Sequence, residues 1–180
     1  MIKAFLKHGA RRFGARFNYD VSYMQHVTEV SAEAGLRLSA LQVFAGYRGP
    51  PAARNVVAGA ALASTLDGDC GPCLQLVADI AQASRVPREQ IALCLRGQPE
   101  DAGDTGLGFR FALAAIADSD TLEALRAEIA GRYGEAAVVA AAFAASSGRV
   151  YPVLKRGLGY GAVCAKVSIG NETIGVTHPA

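Results

Sequence analysis

Residues 56–66 of this 180-residue chain read VVAGAALASTL, and residues 67–73 continue as DGDCGPC. The first run is dense in alanine and lacks the apolar–polar alternation of a half-buried strand, so it predicts a helix that is apolar on most faces and central in the fold. The second run places two cysteines three positions apart, and another helix-compatible segment, LQLVADI, follows it. A buried helix that leads directly into a cysteine-bearing helix therefore decides the predicted architecture.

The residues around the cysteine pair are those of a helix N-terminus. Asp69 is expected to cap the helix, and Pro72 falls in the first turn, where a missing N–H costs nothing. Cys70 and Cys73 are then expected on one face, near the positive end of the helix dipole, which favours thiolate over thiol. The negative charges of Asp67 and Asp69 oppose ionisation of a nearby thiol. The direction of the net shift in the cysteine pKa values therefore stays open.

The remainder of the chain also predicts helices. The apolar residues of segment 1–17 recur at helical spacing among basic ones, which predicts an amphipathic helix packed on its own domain or on a partner subunit rather than on a membrane. Gly35 is expected to end the helix that follows. Asp120 and Glu123 resemble a capping box at the start of a later helix.

These patterns predict a single all-α domain, a helical bundle. Residues 1–35 are expected to form a helical extension and residues 40–160 the core. For the tail, residues 166–180, a small hairpin, an arm and disorder all stay open.

Composition excludes several classes of protein. A net charge of +2 is too small to indicate a nucleic-acid partner. The sequence contains no uninterrupted apolar run of about 18 residues, so we expect no transmembrane segment. Charged residues interrupt the N-terminal apolar positions, so we expect no signal peptide and a cytoplasmic protein, where disulfides are usually catalytic or sensing. Hydrophobic residues make up 51% of the chain, which favours a homo-oligomer.

The two other cysteines, Cys94 and Cys164, stand alone in apolar segments and are expected to be small buried side chains. A structural zinc site is disfavoured because no second cysteine pair is present and the three histidines show no ligand spacing. We therefore predict neither a metal nor a cofactor.

The CGPC sequence is also the thioredoxin tetrapeptide, but a thioredoxin fold requires a buried strand before it, whereas residues 56–66 favour a helix. A cysteine pair that follows a buried helix is better matched by another protein family. Residues 56–91 resemble the alkylhydroperoxidase-D and carboxymuconolactone decarboxylase family, all-helical proteins with a CxxC pair at the start of a helix that follows a buried one. The later helices resemble that family's peroxidase-related members, so the resemblance covers roughly residues 40–160.

The resemblance implies a proton relay that this chain lacks. The family's peroxidases carry a Glu twelve residues before the first cysteine and a His four residues after the second; these positions are Ala58 and Val77 here. Neither side chain can move a proton, and general acid–base help contributes about a hundred- to ten-thousandfold in rate. Candidate substitutes near the pair in sequence are Asp67, Asp69, Gln75 and Asp79, with Arg54 or Asn55 from the preceding helix.

The sequence thus predicts a CxxC-dependent thiol–disulfide oxidoreductase or weak hydroperoxide peroxidase with Cys70 and Cys73 as catalytic residues. It needs a peroxide or disulfide substrate and a thiol or dithiol reductant. From the residues alone Cys70 is expected to be more exposed and to attack, whereas the resemblance assigns the attack to Cys73. Two alternatives remain: a non-catalytic or redox-sensing binding protein on the same scaffold and, least favoured, a lactone lyase.

Overall fold

The computed structural model describes residues 1–161 and 166–178, and it confirms an all-α chain with one small hairpin. The α-helices, in chain order, are α1 (Ile2–Phe17), α2 (Ser22–Val30), α3 (Ala32–Ala45), α4 (Arg54–Asp67), α5 (Gly71–Ala83), α6 (Arg88–Leu95), α7 (Gly103–Ala117), α8 (Leu122–Tyr133), α9 (Glu135–Ser147) and α10 (Val150–Gly157). Single 3-10 turns, Pro51–Ala53 and Pro99–Asp101, precede α4 and α7. Strands β1 (Lys166–Ile169) and β2 (Glu172–Gly175) pair antiparallel.

The central position predicted for α4 is confirmed. It packs against α7 and α9, and the core formed around it consists largely of alanine, valine and leucine. Glycines let α4 and α7 approach closely: a Cβ on Gly59 would lie 1.8 Å from the carbonyl oxygen of Thr105, and one on Gly108 would lie 1.8 Å from that of Val56. Side chains at these two positions are therefore incompatible with the observed helix crossing.

The tail adopts the hairpin, one of the three alternatives left open. Val167 pairs with Ile174 across the hairpin, and both side chains are buried in the main core. Gln75 of α5 holds β1 by its side chain, which donates to the Ser168 carbonyl at 2.9 Å and accepts from the Ser168 N–H at 2.8 Å. The hairpin therefore rests against the helix that carries the cysteines.

Helices α1 to α3 pack together and bring a second cluster of buried side chains, the tyrosine cluster, against the rest of the fold. Its buried members are Tyr19, Val21, Tyr23, Met24 and Leu38. Side chains from α5 and α10, among them Leu76, Tyr151 and Leu154, pack on this cluster from the other side. The N-terminal segment is thus in contact with the first turns of α5.

Two predicted helix boundaries are wrong. Gly35 does not end a helix: it is buried inside α3, where a Cβ would lie 2.6 Å from Thr28 Oγ1, and the break falls at Ser31, whose hydroxyl caps α3. The capping box is absent, because α8 begins at Leu122 without a side-chain cap and Glu123 pairs instead with Arg126 at 2.6 Å. In both cases a tertiary or side-chain contact overrides the local signal.

One helical stretch of the described residues, Glu135–Gly157, is long and apolar enough to cross a membrane by length and composition. That test is weak grounds for a membrane span, because the core helix of a water-soluble protein passes it as well. The α9 part of this stretch contributes Ala137, Ala140 and Ala141 to the main core, as a core helix does. The predicted absence of a transmembrane segment stays a prediction.

Candidate functional site

The cysteine pair lies where α4 passes into α5 through residues 68–70. Asp69 adopts a left-handed backbone conformation with φ 48°, which reverses the chain and which Asp tolerates better than most residues. The N-cap of α5 is therefore Cys70, with an extended φ of −134°, and the predicted cap at Asp69 is wrong. Pro72 does lie in the first turn, as predicted.

Both thiols are free, and their sulfur atoms are 2.7 Å apart. This distance exceeds the ~2.05 Å of a disulfide bond, so the two sulfurs are not bonded to each other, and the predicted placement on one face is confirmed. Cys70 is 1% exposed and Cys73 is 4% exposed, so the expectation that Cys70 is the more accessible thiol is wrong. Cys73, and not Cys70, lines the large cavity described below.

The two sulfurs have pKa values displaced in opposite directions. The hydrogen bond with the Cys73 thiol, helped by the Cys73 backbone N–H and the Lys155 charge, lowers the pKa of Cys70 to about 6, although burial and Asp69 oppose this. The same hydrogen bond, together with burial, holds the pKa of Cys73 well above its ordinary value. The electrostatics of the pair therefore favour ionisation of Cys70 over ionisation of Cys73.

A tyrosine and a lysine from distant parts of the chain complete the site. The Tyr19 hydroxyl lies 3.6 Å from Cys73 Sγ, and Lys155 Nζ donates to the same hydroxyl at 3.4 Å. Burial raises the pKa of Tyr19, so the phenol stays protonated and is available to donate to sulfur. Lys155, Tyr19, Cys73 and Cys70 thus form a continuous chain of polar contacts.

Lys155 is 3% exposed, an unusual degree of burial for a lysine. Its ammonium nitrogen lies 5.0 Å from the ring centre of Tyr19 and 5.3 Å from that of Tyr23, within the range of cation–π attraction. Among the described residues no carboxylate lies within ion-pair distance of it. The positive charge is therefore directed toward the tyrosines and the thiols.

Sequence reasoning did not find Tyr19 and Lys155. The available signal was helical spacing: Lys155 falls four residues after Tyr151 and one after Leu154, within the apolar stripe of a short amphipathic helix. A lysine in such a stripe is expected to face the interior. Tyr19, which lies between α1 and α2, belongs to no local motif.

The residues predicted as relay substitutes have other partners. The Asp67 carboxylate lies 2.7 Å from Arg149 Nε, and Asp69 lies 3.7 Å from His178 Nε2. Gln75 donates to Asp79 at 2.9 Å as well as holding the hairpin. Asp67, Gln75 and Asp79 make no hydrogen bond to either sulfur among the contacts of the described residues. The role of all four predicted residues in proton transfer stays a prediction.

A cavity of about 560 Å³ adjoins the site. Cys73, Tyr19, Tyr23 and Tyr151 line it at one place, and apolar side chains of α4 and α5 line much of the remainder. The lining residues from α4 and α5 include Arg54, Val57, Ala58, Ala61, Thr65 and Val77. The two positions at which the family resemblance implies a Glu and a His therefore border the same space as Cys73. Of the other two candidates from the preceding helix, Arg54 lines this space and Asn55 does not.

The remaining cysteine of the described residues, Cys94, is fully buried, as predicted, and burial raises its pKa to about 12. The prediction for Cys164 lies outside the described residues. Within residues 1–161 and 166–178 no group of three or more His, Cys, Asp or Glu side chains is placed to hold a metal ion.

Comparison with protein-family models, with curated proteins and with solved structures finds no match for this chain. The function must therefore be argued from the site itself.

Proposed function

We propose that the protein is a CxxC-dependent thiol–disulfide oxidoreductase that reduces hydroperoxides. One observation carries the proposal: two free, closely spaced thiols, of which Cys73 lines a cavity and contacts the buried Tyr19 hydroxyl, while the pKa of Cys70 is lowered by its hydrogen bond with Cys73. A thiolate is the nucleophilic form of cysteine, and an adjacent thiol allows the oxidised product to close as a disulfide.

Cys73 attacks the peroxide in this scheme, because it is the sulfur that borders the cavity. Proton transfer from Cys73 to Cys70 moves the charge to Cys73, where the Tyr19 hydroxyl donates to it. The Cys73 thiolate bonds to the terminal oxygen of the hydroperoxide, and the O–O bond breaks. Cys73 becomes a sulfenic acid, and the alkoxide leaves as an alcohol with the proton of Cys70.

Cys70 then resolves the intermediate. Its thiolate attacks the Cys73 sulfur, the S–O bond breaks, and hydroxide leaves as the disulfide forms. The hydroxide takes one proton, which Tyr19 supplies and Lys155 replaces. The balance is one hydroperoxide, one cysteine thiolate, one cysteine thiol and one proton giving an alcohol, a water and a disulfide. The two cysteine sulfurs supply the two electrons that reduce the peroxide. An external thiol or dithiol returns the two electrons by disulfide exchange.

Tyr19 and Lys155 stand in for the Glu–His relay that the family resemblance implies. Their contacts lie on the same sulfur that the resemblance assigns to peroxide attack, Cys73. Ala58 and Val77, the positions at which the resemblance implies the Glu and the His, border the cavity that Cys73 also lines. We propose that the relay has moved from α4 and α5 to the N-terminal segment and α10.

A redox-sensing role without turnover is the second candidate. The observation in its favour is the burial of both sulfurs, which slows access of a reducing partner to the disulfide once it has formed. A sensor of this kind oxidises once and stays oxidised. Repeated turnover with a thiol donor distinguishes it from an enzyme.

The test is hydroperoxide consumption by the reduced protein with excess dithiothreitol, together with intact mass after one equivalent of peroxide. Wild type is compared with Cys70→Ser and Cys73→Ser, and Cys94→Ser serves as a matched control because Cys94 is buried away from the pair. We expect turnover and a loss of about two daltons in wild type and Cys94→Ser, and no turnover in either pair variant.

Cys70→Ser should trap the sulfenic acid on Cys73, which a dimedone adduct detects, whereas Cys73→Ser should give no adduct. Wild-type protein that consumes a single equivalent and then stops supports the sensor. Thiols that do not oxidise at all overturn both functions.

The homo-oligomer predicted from composition stays a prediction. Large apolar side chains are exposed on α1 and α3, among them Phe5 at 76% and Val43 at 79%. Sedimentation velocity gives the oligomeric state directly, and a single monomeric species contradicts the prediction.

A further inference from the structure

The cavity beside Cys73 follows one face of α4 along most of its length. Arg54, Val57, Ala58, Ala61 and Thr65 line it and recur every three or four residues, the spacing of a single helix face. Arg54 and Thr65 are eleven positions apart, which corresponds to ~16 Å along the helix axis at 1.5 Å per residue. The space is therefore elongated, with a different chemistry at each end.

The thiol end of the cavity holds an unused hydroxyl. Thr65 is 1% exposed, and its Oγ1 atom has no hydrogen-bond partner in the described part of the chain. Buried hydroxyls are nearly always hydrogen-bonded, and an orphan one indicates a missing partner. Only three residues connect α4 to α5, and Thr65 and Cys73 both line the cavity. We therefore expect the two side chains to border the same end, where a hydroperoxide group would meet both.

The middle of the cavity is apolar and is lined by small side chains. Val57, Ala58 and Ala61 of α4 face it, together with Val77 and Ile80 of α5. Residues larger than alanine at positions 58 and 61 would occupy part of this volume. The space is suited to a hydrocarbon chain and offers it no hydrogen-bond partner.

The far end of the cavity is cationic. Arg48 and Arg54 line it, and an adjoining cavity that shares Phe13, Arg48 and Ile80 is also lined by Arg12 and Arg16 of α1. No Asp or Glu among the described residues lines either cavity. The basic face of α1 thus contributes to a positively charged entrance.

We propose that the cavity binds a single-chain amphiphile with a carboxylate head, and that the substrate is the hydroperoxide of such a fatty acid. The head lies at Arg48 and Arg54, the chain along α4, and the hydroperoxide at Cys73 and Thr65. This inference rests on the proposed function for its redox step, but not for its binding step. At about 1.2 Å per extended bond, a cavity of ~16 Å takes a chain of about a dozen carbons.

The binding step is tested without chemistry. Dodecanoate, decanoate and dodecyltrimethylammonium are titrated by calorimetry into the full chain carrying both Cys70→Ser and Cys73→Ser. Dodecanoate should bind, decanoate about tenfold more weakly because two buried methylenes are lost, and the cation not measurably. Equal affinity for the anion and the cation, or no binding of dodecanoate, overturns the proposal.

Matched arginine variants test the head-group contact. Arg54→Gln should weaken dodecanoate binding about tenfold, the effect of losing one charge-assisted contact. Arg11→Gln should change nothing, because Arg11 is exposed on α1 and lines neither cavity. Equal losses of dodecanoate affinity in the two variants would attribute the effect to net charge alone. That result would overturn the assignment of Arg54 to the head-group contact.

Two activity measurements separate this inference from the proposed function. In wild type the kcat/KM for linoleic acid hydroperoxide should exceed that for hydrogen peroxide by at least tenfold. Ala61→Leu should remove this preference, because the leucine side chain would occupy part of the volume that the hydrocarbon chain fills. Circular dichroism establishes that Ala61→Leu is folded, and Thr65→Val, which keeps the volume, should lower the kcat for both peroxides.

Dodecanoate binding without any peroxide turnover overturns the function and retains the cavity assignment. Peroxide turnover without a chain-length preference retains the proposed function and overturns the cavity assignment. Sedimentation with phosphatidylglycerol vesicles in the absence of dodecanoate binding overturns the free fatty acid as the ligand.

Discussion

The main core and the tyrosine cluster are both buried, but their side chains differ in size and polarity. The core between α4, α7 and α9 contains small apolar side chains, and its tightest contacts are between helix backbones at Gly59 and Gly108. The tyrosine cluster holds phenol groups and receives the buried ammonium of Lys155 and the thiol of Cys73. The polar side chains buried along the core helices, such as Ser64 and Thr105, are neutral, whereas the tyrosine cluster lies against a buried ammonium and an ionisable thiol.

This difference separates stability from chemistry. Close packing of apolar groups stabilises a fold without creating reactive groups, whereas a buried charge and an ionised thiol each carry a desolvation cost. We infer that the core supplies the free energy that holds the tyrosine cluster in place. The following experiments test this division of roles.

Substitution at the helix crossing should have the largest effect. Gly59→Ala places a Cβ 1.8 Å from the Thr105 carbonyl oxygen, so α4 and α7 must separate, and we expect a loss of ~3 kcal/mol or more in the free energy of unfolding. The control is Gly131→Ala in α8, where a Cβ meets nothing within 4 Å and should stabilise by about 0.5–1 kcal/mol. Urea unfolding measures the stability of both variants. An unfolding midpoint that is unchanged in Gly59→Ala contradicts the assignment of stability to the main core.

The ionisation of Cys70 should make the stability of the reduced protein depend on pH. Its pKa is lowered to about 6 in the folded chain, so from pH 6 to 8 the unfolded chain holds a proton that the folded chain has lost. Stability should rise on the order of 2 kcal/mol over this interval, and fall as pH drops through the folded pKa. Urea unfolding of the Cys70→Ser variant should show no such rise; an equal rise there assigns the effect to another group.

Removing the Tyr19 hydroxyl should affect chemistry more than stability. Tyr19→Phe deletes the donor that faces Cys73, and we expect peroxide consumption to fall about tenfold or more. Tyr151→Phe is the matched control, because Tyr151 lines the same cavity and burial alone raises its pKa to about 12. Stopped-flow kinetics give the rates, and equal losses in both variants would assign the effect to the cavity wall.

Replacing Lys155 should have the smallest effect on stability. Lys155→Met removes a buried charge with no carboxylate partner among the described residues, so the free energy of unfolding should change by no more than about 1 kcal/mol. The pKa of Cys70 should rise, because the positive charge helps to lower it. Thiolate absorbance at 240 nm follows the titration, with exposed Lys166→Met as control. A large destabilisation with an unchanged thiol titration indicates a purely structural lysine.

The part of the site that could be predicted from the sequence is the local part. Cys70, Pro72 and Cys73 occupy one helical turn, whose geometry follows from residue types over a few positions. The all-α class and the central α4 followed likewise from composition and periodicity. The cap at Cys70 could not be predicted, since the turn between α4 and α5 places Asp69 in a left-handed conformation instead of at the cap position.

The activating groups could not be predicted because they are brought together by packing. Tyr19 and Lys155 meet only when α1–α3 and α10 dock on α5, and no short-range pattern encodes that docking. The search for relay substitutes near the motif reached Gln75 and Asp79, which instead support the hairpin. Contacts that span the chain are the ones that single-sequence reasoning does not reach.

The sequence separations within the site have a consequence for the life of the molecule. Tyr19 and Cys73 are 54 positions apart, and Lys155 and Tyr19 are 136 apart. Contacts of such long range are costly in loop-closure entropy and form late in folding. A growing, truncated or misfolded chain therefore lacks the Tyr19 hydroxyl at Cys73 and the Lys155 charge beside it, even where the cysteine turn itself has formed. The complete set of polar contacts at the thiols is thus a direct report on the integrity of the fold.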